Sequence, residues 1–111
     1  MNFPDFITAW PALDIPFPAE VVETHAVQSD KGLVVFFRFL QDVHLPPHSH
    51  LGQWGTVIKG ELKIAMNGET RVYGPGESYD IPAGTVHEVW GKAGGLVLDA
   101  FEEPNRYPLR D

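Results

Sequence analysis

Residues 48–68 read HSHLGQWGTVIKGELKIAMNG, and two features of this stretch decide the fold. The first is His48-Ser49-His50, an i, i+2 pair; on a strand such a pair points to one face, so two imidazole nitrogens reach a common ion. The second is Glu61-Leu62-Lys63-Ile64-Ala65-Met66, which alternates polar and apolar residues and runs into Asn67-Gly68, the dipeptide that supplies the positive φ values of a two-residue hairpin turn. Leu62, Ile64 and Met66 should therefore face a core. Together they predict a β-scaffold that carries a metal site.

The same punctuation extends along the chain. Ten prolines and eleven glycines interrupt its 111 residues, and no stretch carries an i, i+3, i+4, i+7 apolar stripe long enough for a substantial helix. Nine strands are expected, over residues 21–27, 33–40, 44–50, 54–58, 61–66, 70–73, 78–81, 85–90 and 95–101, with further turns at Gly74-Pro75-Gly76 and Pro82-Ala83-Gly84. The pattern is all-β, a sandwich or barrel. Residues 1–20, with Pro4, Pro11, Pro16 and Pro18, form an extended arm with room for one short turn around Phe6 to Trp10. That arm should pack on the barrel of residues 21–111 or on a partner subunit.

Composition narrows the function classes. Eight Lys and Arg against fifteen Asp and Glu leave a net charge of -7, which repels phosphate backbones and anionic lipid, so the expected partner is a small molecule, not nucleic acid or membrane. Without cysteine there are no disulfides, thiolate zinc sites or thiol nucleophiles, and a metal must be held by nitrogen and oxygen. The longest apolar run, Leu33 to Phe37, is too short to span a bilayer, and the first residues lack the features of a secretory signal. The expectation is a cytoplasmic protein.

A second segment supplies a third imidazole. His48-Ser49-His50 followed by Gln53 and Gly60, then Gly76-x5-Pro82-x-Gly84-x2-His87 after an interval of fifteen residues, resembles the two signature motifs of the cupin family. The resemblance implies an RmlC-like, double-stranded β-helix (jelly-roll) barrel with one divalent transition metal, Zn, Fe, Ni, Mn or Co, on His48, His50 and His87. Three positions depart from the family pattern. Asp42 stands where a glycine is usual, Gly91 where an asparagine closes the second motif, and Gln53 replaces the usual glutamate, slightly early in the chain. Either Gln53 supplies the fourth ligand or the site is three histidines with water.

Neutral imidazoles, with or without a neutral amide, leave the full charge of the ion in place and strengthen its pull on a bound oxygen. Three or four protein ligands on an ion that accepts five or six leave positions open for substrate, and the ligands must be unprotonated, so metal should be lost below about pH 6. His25 and His44 lie outside the motifs; His25 is a pocket or an ordinary strand residue, His44 a lip residue. Trp54, Tyr79, Trp90 and Phe101 are candidates for lining the pocket. Arg38, between Phe37 and Phe39, either faces solvent or enters the pocket as an anion anchor.

The segment Leu98-Asp99-Ala100-Phe101-Glu102-Glu103-Pro104-Asn105-Arg106 is similar to that of small pectin-degradation cupins, which convert unsaturated uronates to linear ketonised sugars. That similarity implies a metal-dependent enzyme with isomerase-, lyase- or hydrolase-like chemistry on a sugar acid. Asp99 would shift protons and Arg106 or Arg38 would answer the uronate charge. An Fe(II) dioxygenase and a non-catalytic small-ligand sensor are the alternatives. The apolar arm, Phe3, Phe6, Ile7, Trp10, Leu13, Ile15 and Phe17, together with an open sheet edge, suggests a homodimer.

Overall fold

Turn residues cut the chain into short strands, and nine form in the computed structural model, which describes residues 2–110. They are β1 (Val22–Ser29), β2 (Gly32–Phe39), β3 (Val43–His48), β4 (Gln53–Lys59), β5 (Leu62–Met66), β6 (Glu69–Tyr73), β7 (Ser78–Ile81), β8 (His87–Gly91) and β9 (Leu96–Phe101), preceded by one helical turn, α1 (Asp5–Thr8). All lie close to the expected spans. The strands build two antiparallel sheets, β1-β2-β9-β4-β7 and β3-β8-β5-β6, a jelly-roll barrel.

Alternation sets the two inner faces. Val57, Tyr79, Ile81 and Val97 from the first sheet meet Leu62, Ile64 and Tyr73 from the second in the main core. The β5–β6 hairpin forms at Asn67-Gly68 with φ of 53° and 76°, the left-handed pair that the turn requires. Leu62 and Ile64 are buried, and Met66 packs against the same cluster.

The arm crosses its own barrel. Phe3 and Trp10 set their rings on Phe36, on the outer face of β2, at 5.2 and 5.6 Å between centroids. Leu13 is fully buried in a second cluster with Ala26, Leu33, Val35 and Phe101; its N–H donates to Thr24 Oγ1 at 2.8 Å and it bridges to Leu109. Ile15, Pro16 and Phe17 then reach the rim of the barrel's cavity.

One local expectation changes. The strand expected over 44–50 ends at His48, and its pairing with β8 is irregular between Leu45 and His48, where Pro46 and Pro47 have no N–H to donate. β3 is an edge strand, where such prolines are tolerated. His50 therefore lies beyond the strand, and strand alternation is not what brings it beside His48.

Candidate metal centre

The three motif histidines converge at one end of the barrel. His48 pairs directly with His87 across β3 and β8, and ring centroids are 4.2 Å apart for His48 and His87, 4.8 Å for His50 and His87, and 5.3 Å for His48 and His50. One ligand atom from each lies within 4.8 Å of the others. The loop of the second motif is tied to that of the first, since Gly84 N–H donates to His50 O at 2.9 Å. The motifs thus act as one unit although His50 and His87 are far apart in sequence.

Each imidazole is oriented by the backbone. His48 Nδ1 lies 2.8 Å from Pro46 O, His50 Nδ1 2.6 Å from Leu51 O and His87 Nδ1 2.9 Å from Thr85 O. A carbonyl only accepts, so each Nδ1 carries the proton and each Nε2 keeps a free lone pair. His87 Nε2 is buried without a partner, which costs free energy unless something electron-poor meets it. Three inward lone pairs, one of them orphaned, are the donor set that a divalent transition metal takes. The residues present fit the ion.

Electrostatics favour the neutral form of His87 and His50. Burial lowers the His87 pKa to about 4 against the raising effect of its bond to Thr85, with His48, His50 and Arg106 lowering it further. Burial likewise lowers that of His50, opposed by the bond to Leu51 and the charge of Glu103 and reinforced by Arg106 and His48. For His87 and His50 the unprotonated state that metal binding needs therefore extends to more acidic pH than a free imidazole would allow.

Beside the triad, Gln53, Tyr79, Asp99 and Phe101 share the walls of one cavity of about 70 Å³, enough for a handful of waters or a small polar group. Phe101 lies 5.9 Å from the His50 ring. Asp99 accepts a hydrogen bond from the Tyr79 hydroxyl at 2.6 Å. Burial raises the Asp99 pKa to about 6, with the bonds from Tyr79 and Gln53 pulling it back, while burial beside Asp99 drives the Tyr79 phenol well above 10. An amide that donates to Asp99 through its nitrogen leaves its oxygen for an ion.

These shifts have opposite linkage. A depressed histidine pKa stabilises the fold above the unfolded value of 6.5 and loses that stability as pH falls through about 4; a raised carboxylate pKa stabilises below 3.8 and loses it as pH rises through about 6. Between pH 4 and 6 the contributions of His87 and Asp99 nearly cancel. In metal-free protein, Asp99→Asn removes one of them, so unfolding free energy from urea titrations should rise with pH more steeply than in wild type, by about 1 kcal/mol per pH unit. Parallel curves for the two proteins would show that Asp99 does not titrate in this window.

Other candidates lie elsewhere. Trp54 is 47% exposed on the outer face, because Gln53 and Gly55 on either side point inward. Trp90 is also outward, stacked on His44 and capped by Lys63 Nζ 4.5 Å from its ring. Phe37 and Phe39 line the cavity, so Arg38 points out and pairs with Glu23 at 3.5 Å. These three do not reach the site. His44 pairs with Glu88 on the outside, and His25, on β1, packs with both ring nitrogens buried without a hydrogen bond, its Nε2 3.9 Å from Glu23 Oε2, away from the cavity. Arg106 lies over the Tyr107 ring at 4.3 Å, near enough for its charge to act on His50 and His87. Sequence reasoning missed Tyr107, Ile15 and Phe17, which line the cavity from outside the strands. No periodicity marks such residues.

The family's sequence profile, described as Cupin domain, matches residues 39–96, more than half of the chain. The chain belongs to the cupin family. Solved cupins share the fold: an RmlC-like cupin from Shewanella frigidimarina superposes with a TM-score of 0.73 at 22% identity, covering 88% of this chain and 86% of that one. KdgF from Halomonas sp. gives 0.68 at 24% identity, covering 89% and 87%. The Mn(II)-containing oxalate decarboxylase of Bacillus subtilis gives 0.63 at 18% identity, covering 77% of this cupin and 26% of the larger chain. No curated protein matches the sequence. Among the described residues of this cupin, no helix is long and apolar enough to cross a membrane.

Proposed function

We propose that this cupin is a metal-dependent enzyme that moves protons on a small sugar acid, with isomerase- or lyase-like chemistry of the kind that opens and ketonises unsaturated uronates. The observation that carries the reading is Asp99: a buried carboxyl in the same cavity as the three motif histidines, with a pKa near 6 that lets it take up and return a proton near neutral pH. The tail resemblance to pectin-degradation cupins and the structural likeness to KdgF support the substrate class.

In this reading His48, His50 and His87, with Gln53 oxygen as fourth donor, would hold the ion, which supplies Lewis-acid polarisation of a substrate oxygen when bound. The chain's own residues do the rest. Asp99, aligned by Tyr79, shifts the proton; Arg106 answers the carboxylate of the substrate; Phe37, Leu45 and Val89 keep water from the reacting centre. Metal-loaded protein should convert unsaturated galacturonate, with Asp99→Asn slower by about 10²- to 10⁴-fold. Equal turnover by wild type and His48→Ala would overturn the metal role. Oxygen consumption that tracks Fe loading would instead favour a dioxygenase.

A further inference from the structure

The turn after β9 holds the loop that carries His50 by two carboxylates. Glu102 Oε1 accepts from Gly52 N–H at 2.8 Å, Glu103 Oε1 accepts from Leu51 N–H at 2.7 Å, and Glu102 N–H donates to Gly52 O at 2.8 Å. The two glutamates grip different peptide units. Leu51 N–H belongs to the peptide between His50 and Leu51, whose carbonyl accepts from Gly84. Gly52 N–H belongs to the peptide between Leu51 and Gly52, whose carbonyl is the acceptor for His50 Nδ1–H at 2.6 Å.

We infer that Glu102 is a positioning residue for the metal centre, acting on His50 through the Leu51–Gly52 peptide. The chain of contacts runs from the Glu102 carboxylate to Gly52 N–H, across the amide to Leu51 O, then to His50 Nδ1–H, and leaves His50 Nε2 facing the other two imidazoles. An amide that donates to an anion becomes a stronger acceptor at its oxygen, because hydrogen bonds in series polarise one another. A stronger acceptor at Nδ1–H makes Nε2 a better donor to a cation, the effect that a carboxylate exerts when it contacts a metal-bound histidine directly. Here one peptide is interposed. Gly52 fits the arrangement, since a Cβ on it would come within 3.0 Å of Glu102 Oε1.

The inference rests on the metal reading of the triad, and the test separates the two. Zn²⁺ affinity is measured by chelator competition for wild type, Glu102→Ala, Glu102→Gln, Glu103→Ala and His48→Ala, and the His50 Nδ1–H resonance is followed by NMR in the zinc-loaded proteins. Glu102→Ala should weaken Zn²⁺ binding by about 10- to 100-fold and move that resonance upfield. Glu102→Gln, which keeps an acceptor oxygen without the charge, should recover part of both. Glu103→Ala, which loosens the same loop at the other peptide and removes a charge that acts on His50 only through space, should leave affinity within about threefold of wild type and the resonance in place. Equal losses for the Glu102 and Glu103 variants would overturn the relay in favour of simple loop anchoring, as would wild-type affinity in Glu102→Ala. Zn²⁺ binding that His48→Ala does not impair would overturn the metal reading itself, and the relay with it.

Discussion

Replacing His87 with alanine should abolish the thermal stabilisation expected from divalent metal while leaving the metal-free protein nearly as stable as before. A ligand that binds only the folded state adds about 2.7 kcal/mol at a hundredfold excess over its Kd, or about 10 °C in Tm for a domain of this size. His87 is 2% exposed, its Nδ1 is held by Thr85 O and its Nε2 has no partner, so the ring is aimed and its lone pair is unused without an ion. Truncation removes packing and the bond to Thr85, yet it also removes a buried polar atom that nothing satisfies. Those terms oppose each other in the metal-free state, whereas in the metal-bound state all of them add to the loss of a ligand. Differential scanning fluorimetry with and without Zn²⁺ or Mn²⁺ measures the difference. An undiminished metal-induced shift in His87→Ala would place the ion elsewhere.

A larger cost to the fold itself is expected at a residue with no side chain. A Cβ on Gly55 would lie 2.0 Å from Asp99 Oδ1, 2.4 Å from the Tyr79 hydroxyl oxygen and 2.5 Å from Tyr79 Cε2. All three strands involved run side by side, β7-β4-β9, and Tyr79 is 3% exposed, so neither side chain has an open path to swing aside. Gly55→Ala must therefore move backbone or break the Tyr79–Asp99 hydrogen bond. Overpacking costs about 1–3 kcal/mol, and leaving a buried carboxyl partner unsatisfied adds a similar amount, so about 3–5 kcal/mol of stability should be lost. Urea unfolding should show a lower midpoint at an unchanged slope. The cost should shrink by at least about 1 kcal/mol in an Asp99→Ala background, because the nearest obstacle is gone. An additive double mutant would locate the strain away from this pair.

Much of this was legible in the chain. Asn67-Gly68 between alternating residues predicts a hairpin, and the hairpin is there, because a turn of this kind depends on its own two residues. His48, His50 and His87 were identifiable because the motif residues around them prescribe local turns, and local turns are read from neighbours in sequence. The aromatic candidates fared unevenly for a reason equally physical. Trp54, Tyr79, Trp90 and Phe101 look alike as residue types, and the side of the sheet each one faces depends on strand register. Tyr79 and Phe101 turn inward and Trp54 and Trp90 outward.

By itself the sequence determined the all-β class, the approximate place of every strand, the three motif histidines and the absence of any thiol alternative. These rest on composition, period-two patterning and turn chemistry, all of which act over a few residues. Tertiary structure alone decided that Asp99 is desolvated against Tyr79, that Gly55 is the space in which the two meet, and that Glu102 and Glu103 hold the loop of His50 from fifty residues away in the chain. Burial and through-space hydrogen bonding depend on which strands become neighbours. That order, with β9 between β2 and β4, brings the turn after β9 to the loop that follows His48 and His50.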